Sequence, residues 1–446
     1  MDSEAVAQEH SRLIEPLTRW GRGSILVASL LSAVVLWSIF AFVWQFIEGL
    51  GETGMDHPIS WGLYLVNFVF FIGISHAGAL VSAVLRITHA RWGTPFGRAA
   101  EAVTVFALAA GPTNILFDLG RSYLFYWVGL HAQFKSPLLW DFTCIMTYFT
   151  VSNIFLLVLM IPDVAFLRDR FPGRGWLYKP LSFGWTGAQR QQRNLGKAIA
   201  ILCVAVIPIA VSVHTVVSWV FGMQTQPMWH SSIFAPYFVT GAIFSGIATI
   251  IVVIIALRKV YHLEAYLTPY HFNNMGLLLL VFTLLWFYFT FEEYLTAAYG
   301  GDSFELTVFW AKVAGKYAPL FWTMVALCFL IPFPILVLKR TLPGLLISSI
   351  SIIIGMWLER FLIIIPSFSQ PRLPYARGAY TPSWVEWSMT AGLFAGFTLA
   401  FVLFSKLFPV ISIWETEKER SEKFRLEALE TKNALQAKEA SFPKIS

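Results

Sequence analysis

Ten apolar runs, each long enough to cross a bilayer as a helix, recur along this chain. They fall at about 24–47, 59–85, 99–117, 138–161, 197–221, 234–257, 275–298, 317–338, 342–365 and 386–408. A helix rises 1.5 Å per residue, so about twenty residues bridge the roughly 30 Å hydrocarbon layer. Inside that layer each backbone N–H and C=O must find its partner within the protein, which leaves helices or closed barrels. These runs are too long for barrel strands and lack a period of two. The expected fold class is therefore an all-α integral membrane protein with about ten transmembrane helices. Composition agrees: 57% of residues are hydrophobic and only 13% charged, against about 25% charged in a soluble domain.

Lysine and arginine orient the spans. With the N-terminus in the cytoplasm, 25 of the 32 Lys and Arg residues fall on the cytoplasmic side and 7 on the other. Such asymmetry follows the positive-inside rule. The net charge of +6 thus reports orientation and not nucleic-acid binding. Residues 1–23 are expected as a cytoplasmic N-terminal segment, 24–408 as the membrane domain and 409–446 as a charged cytoplasmic tail. The first run is too long for a signal-peptide core and reads as an uncleaved span. The basic stretch 162–196, with Trp176, Tyr178 and Trp185, is expected as a loop on lipid headgroups. The proline-rich outer segment 366–385 is expected to be irregular.

Polar residues concentrate around the second to fourth runs. His57-Pro-Ile-Ser-Trp-Gly62 opens the second, which carries His76 about 25 Å from its outer end. Asp118-Leu-Gly-Arg121 closes the third, a loop with His131 follows, and Ser136-Pro-Leu-Leu-Trp-Asp141 opens the fourth. A charged group at the centre of a membrane helix costs about 2.5–3.5 kcal/mol on insertion scales. Such groups therefore imply partners, water or a substrate.

Quinol oxidation releases two electrons and two protons. It needs an apolar slot, hydrogen-bond partners for both ring oxygens and a proton acceptor, a role histidine suits. Asp118, His131 and Asp141 are the candidate catalytic groups, with Arg121, Tyr123 and Trp140 as candidate quinone contacts. His76, His214, Glu292 and Glu293 are candidate proton-relay groups. A structural reading stands beside this one: Asp118 pairs with Arg121, Asp141 caps the fourth helix, and His76 makes an interhelical hydrogen bond. Glu359 and Arg360 are expected to pair.

Cys144, Cys203 and Cys328 sit apart inside apolar runs, too few for an iron–sulfur cluster. His76 and His89 lack the pairing of a diheme cytochrome, so neither haem nor cluster is expected in this chain, and no metal motif appears. A weak echo links His57-Pro-Ile-Ser-Trp61 with His230-Ser-Ser-Ile-Phe234. It fits two parallel four-helix bundles, spans 2–5 and 6–9, with flanking helices.

Trp61-Gly-Leu-Tyr64, Gly73-Ile-Ser-His-Ala-Gly78, Asp118-Leu-Gly-Arg121, Ser136-Pro-Leu-Leu-Trp-Asp141 and Val211-Ser-Val-His-Thr-Val-Val-Ser-Trp219 together resemble the NrfD/PsrC family of polysulfide-reductase-type membrane subunits. Trp229-His-Ser-Ser-Ile-Phe234 and Ser383-Trp-Val-Glu-Trp387 agree. Within the family the likeness is greatest to alternative complex III subunits, the ActC type more than the ActF type. Ser122 stands where the family commonly has proline. The resemblance implies a cofactor-free subunit of two four-helix bundles in a bacterial inner membrane, with menaquinone or ubiquinone bound at the periplasmic face. It also implies an iron–sulfur/molybdopterin-like subunit, a multihaem cytochrome c subunit and a second NrfD-like membrane subunit as partners. Two other readings remain open: a proton-conducting or scaffold subunit without quinone, and a secondary transporter. Pro208, Pro332 and Pro334 do not match between the halves as a transporter's broken helices would.

Overall fold

The computed structural model describes residues 13–18, 20–88, 90–370 and 378–418. Among these residues ten helices are long and apolar enough to span a membrane. They are α1 (Arg22–Glu48), α2 (Leu63–Ile87), α3 (Gly97–Asp118), α4 (Pro137–Arg170), α5 (Gln189–Gly222), α6 (Phe234–Val260), α7 (Pro269–Gly300), α8 (Ala318–Leu338), α9 (Leu342–Ser369) and α10 (Trp384–Leu407). His89 and the tail residues Phe424, Leu426, Leu429 and Leu435 lie outside the described residues.

Helices α2–α5 pack as one ring and α6–α9 as a second, with α2 and α6 in contact at the join. The chain is thus two four-helix bundles with α1 and α10 paired on one flank. The central position of α2 is visible in its burial, which takes in every side chain from Leu63 to Ala83, and α6 is buried along most of its length. Close approach there needs small residues. A Cβ on Gly78 would collide with Ala100 O and Thr104 Oγ1, and one on Gly246 with Ala77.

Tertiary contacts define two faces. On the terminal face, Arg98 Nη1 meets Asp163 Oδ2 at 2.6 Å and Pro409 O at 3.1 Å. Asp163 also accepts from Ile413 and Trp414 N–H, each at 2.9 Å. Arg86 pairs with Glu415 at 2.5 Å. On the distal face, the segments before α2 and α6 meet through Trp61 and Trp229, stacked at 6.1 Å and flanked by Phe221 and Phe368. Trp61, which ends the first echo segment, therefore lies against Trp229, the residue just before the second.

Several boundaries move. The stretch 162–196 is largely helical: α4 runs on to Arg170, a short helix covers Gly175–Leu181, and α5 begins at Gln189. Its charged helix ends need not stop at the hydrocarbon edge, because water and headgroups solvate them. Helix α9 likewise continues to Ser369, into the stretch expected to be irregular. Helix α8 carries a π turn at Ala326–Leu330 just before Pro332, where proline removes a backbone donor.

Candidate functional site

Two of the four expected relay groups, His76 and His214, meet in the membrane interior. His76 lies about 20 Å from the distal end of α2. Its ring centroid is 4.0 Å from that of His214 on α5, edge to face. His76 Nδ1 is 2.7 Å from Ile72 O and Nε2 is 2.6 Å from Ala210 O. One imidazole donates to both oxygens only when doubly protonated. Neither His214 nitrogen meets a hydrogen-bond partner among the described residues. Since α5 ends at Gly222 and α7 at Gly300, His214 and Glu293 lie two turns inside their helices, deeper than the expected span ends.

From this pair a row of buried polar groups reaches both faces. Toward the distal face, Phe238 touches His214 at 5.4 Å, and the Arg360 guanidinium lies 4.5 Å over the same ring. Arg360 pairs with Glu359 at 3.4 Å, and Glu359 accepts from Trp286 Nε1 at 2.7 Å. Tyr237, Tyr294, Glu293 and Lys312 help to line a cavity of about 10 Å³, room for one water molecule. Glu293 accepts from Ser231, whereas Glu292 is half-buried beside it. Burial pushes the Lys312 ammonium down to about 8, opposed by Glu293 and Glu359.

Toward the terminal face, His76 lies 5.3 Å from the Tyr148 ring. Tyr148 and Thr104 hydroxyls both donate to Ser75 O at 2.9 Å. Glu101 follows on α3, fully buried, with Ser82 and Arg86 as its polar neighbours. The Arg86–Glu415 pair closes this end. Sequence reasoning overlooked Glu101, Tyr148 and Lys312. Glu101 had a usable signal, since an ionisable residue inside an apolar run is a functional candidate by default.

The outer constellation divides. Asp118 is half-buried, within electrostatic reach of Tyr64 and Glu386, and makes no ion pair with the exposed Arg121 among the described residues. Asp141 lies one turn inside α4, whose N-cap is Ser136, so it is not a cap. Its Oδ1 is buried without a hydrogen-bond partner. His131 is exposed and packs edge-on against Trp127 at 5.1 Å. Trp140 Nε1 donates to Phe134 O at 2.8 Å, and Tyr123 is exposed. Among the described residues no hydrogen bond, ion pair or ring contact joins Asp118, His131 and Asp141. The helix Trp127–Leu130 does pack against the start of α4, with Gly129 facing Phe142.

A second distal network involves α10. Glu386, wholly buried, accepts from Gly54 N–H at 2.7 Å, Ser383 N–H at 2.9 Å and the Tyr380 hydroxyl. Tyr380 in turn accepts from Leu63 N–H at 2.8 Å. Gln45 receives the Tyr64 hydroxyl and donates to Phe117 O at 2.8 Å, next to Asp118. Among the described residues no group of three or more His, Cys, Asp or Glu side chains is placed to hold a metal ion.

The family model of the polysulphide reductase protein NrfD matches residues 51–371. The chain belongs to the NrfD family. That match begins just before the His57–Trp61 segment and ends after α9, so it takes in both bundles. A selenate reductase subunit from Mesobacillus selenatarsenatis is 24% identical, covering 87% of this NrfD-family chain and 94% of that protein. An Hdr-like menaquinol oxidoreductase integral membrane subunit of Archaeoglobus fulgidus is 24% identical over 86% of this chain and 92% of its own. A putative dimethyl sulfoxide reductase membrane subunit from Halobacterium salinarum is 31% identical, but the match spans 52% of this chain and 51% of that one. The chain is thus similar to membrane subunits of oxidoreductase complexes.

Proposed function

We propose that this chain is the quinol-oxidising membrane subunit of a respiratory or photosynthetic quinol:electron-acceptor oxidoreductase of the alternative complex III type, ActC-like, and is inactive alone. The observation that carries the reading is Asp141, a carboxylate with a buried, unpartnered oxygen on the stretch of α4 against which the Trp127–Leu130 helix packs. The menaquinol oxidoreductase relative supports quinol as substrate, with menaquinone or ubiquinone as its oxidised form. His131 takes a quinol proton, Asp141 and Asp118 hold or receive protons, and Arg121, Tyr123 and Trp140 border the ring. The two electrons leave to an iron–sulfur/molybdopterin-like partner on the distal face, and from there to a multihaem cytochrome c subunit. The membrane part also includes a second NrfD-like protein. Exposed Tyr123, Phe125, Tyr126, Trp127 and Phe134 supply an apolar surface for the partner.

The Lys and Arg distribution supports a periplasmic distal face, both termini in the cytoplasm and a bacterial inner membrane. The domain limits follow: a cytoplasmic segment 1–23, a membrane domain 24–408 and a charged tail 409–446. The row from Glu293 through His214 and His76 to Glu101 supports coupling of turnover to proton translocation.

The test is quinol oxidation by the purified complex. His131→Ala and Asp141→Asn should lower turnover by about 10²–10⁴-fold, the usual cost of losing an acid–base group, with the complex assembled. His89→Ala serves as the control and should be near neutral. Near wild-type turnover in both outer variants overturns the reading. Loss confined to His76 and His214 variants would instead favour a proton-conducting subunit without quinone.

A further inference from the structure

A cleft of about 440 Å³ opens between α2, α6, α9 and α10, in the half of the molecule nearer the terminal face. Its size falls within the range of small-ligand sites, about 300–1,000 Å³. Phe71, Phe394, Phe397, Phe401 and Tyr261 supply aromatic wall, and aliphatic side chains, mostly of α6 but also Ile74, Ile353 and Val402, supply the apolar remainder. It is not part of the His76 row or of the distal corner.

The polar lining is four hydroxyls: Thr249, Thr398, Tyr261 and Ser405. Thr249 Oγ1 donates to Ser245 O at 2.9 Å, Thr398 Oγ1 to Phe394 O at 2.8 Å and Ser405 Oγ to Val402 O at 2.7 Å. With the Ser405 hydrogen so placed, the Tyr261 hydroxyl donates to Ser405 Oγ at 2.7 Å. Every hydroxyl hydrogen is thus spent inside the protein, and lone pairs remain to face the cleft. The nearby cation is covered: Lys406 is 4% exposed, donates to Pro16 O at 3.2 Å and lies over the Trp20 and Tyr261 rings. The cleft therefore presents acceptors and aromatic surface but no charge. This chemistry selects a neutral, flat amphiphile that carries its own O–H donors, and it offers little to a phosphate headgroup.

We infer that this cleft is a second binding site for a prenylated hydroquinone, with the ring among the phenylalanines and its hydroxyls donating to the threonine and serine oxygens. The choice of hydroquinone as occupant rests on the quinol reading above, whereas the demand for a neutral donor rests on the cleft alone. Binding there holds substrate on the side of the membrane opposite the distal corner.

The experiment uses the whole complex in quinone-free phospholipid nanodiscs and a photoreactive azidonaphthoquinol with two prenyl units, followed by peptide mapping. Label is expected on Val252–Tyr261 and Thr398–Ser405 as well as on the Asp118–Asp141 region. Unlabelled naphthoquinol should compete at the cleft, and its dimethyl ether, which has no O–H, should not. Ala256 lines the cleft and is exposed, so Ala256→Phe fills it without disturbing the core. This variant should lose cleft label by about tenfold or more while keeping distal label. Label confined to the distal region overturns the second site and spares the quinol reading. No competed label anywhere overturns both. Cleft label that ignores naphthoquinol and falls as phospholipid is added overturns the inference in favour of an acyl-chain groove.

Discussion

The imidazoles of His76 and His214 meet edge to face with centroids 4.0 Å apart, at the point where the two halves of a buried polar row join. One ring is held by two carbonyl oxygens, while the other has no hydrogen-bond partner among the described residues. A proton that moves between them passes from a ring held by two carbonyls to one whose nitrogens are bound to nothing else among the described residues. His214→Phe keeps an aromatic ring against Phe238 but removes both nitrogens. We expect an assembled complex whose proton translocation in proteoliposomes falls on the order of 10²-fold. Unchanged proton-to-electron ratio and rate would exclude His214 from the route.

Glu101→Gln tests the terminal half of the same row. The substitution keeps volume and removes the ionisable group, so thermal stability should hold or rise, because a buried charge without a close ion-pair partner is costly. Proton translocation should fall while quinol oxidation in uncoupled vesicles persists. A parallel loss of both activities would mean that Glu101 serves the fold or the quinol site instead.

The Arg98–Asp163 pair anchors residues 409–415 to the bundle. Both side chains are 2% exposed. Removing one member of a buried pair typically costs about 3–5 kcal/mol, since the other is left unpaired. Arg98→Ala should lower the melting temperature in detergent and expose the stretch after Pro409 to limited proteolysis. Protection at that stretch would show that Asp163 holds it without the arginine.

Gly78 is a point of close approach between α2 and α3. Gly78→Val should prevent accumulation of folded protein, because Ala100 O is backbone and cannot turn aside. Gly396→Ala is the control, where the nearest atom, Val35 Cγ2, lies at an ordinary 3.8 Å. Equal yields would show that the helices separate more easily than the packing implies.

Lys312 sets a pH dependence. Its value falls from 10.5 to about 8 on folding, chiefly by burial. Below about 8 both states are charged and the folded state bears the desolvation cost. Between about 8 and 10.5 the folded state releases the proton while the unfolded state keeps it, so stability rises with pH. Melting temperatures across this window should climb in the wild type and be flatter in Lys312→Met.

The ten spans were readable from residue order alone, because a helix in hydrocarbon satisfies its backbone locally and needs only an unbroken apolar run. The identity of the family was readable too, from short motifs that keep their local spacing. His76, His214 and Glu293 stood out because ionisable groups in lipid are costly wherever the chain leads. Their companions were decided only by packing. Glu101, Tyr148, Glu359 and Lys312 lie on helices distant in sequence, and nothing local indicates that their side chains face one interior. Local order also grouped Asp118, His131 and Asp141, yet the fold turns Asp118 toward Tyr64 and Glu386, buries an Asp141 oxygen in α4 and leaves His131 exposed. A few residues of chain separate these groups, but helix rotation sets where each side chain points, and rotation is fixed by contacts between helices.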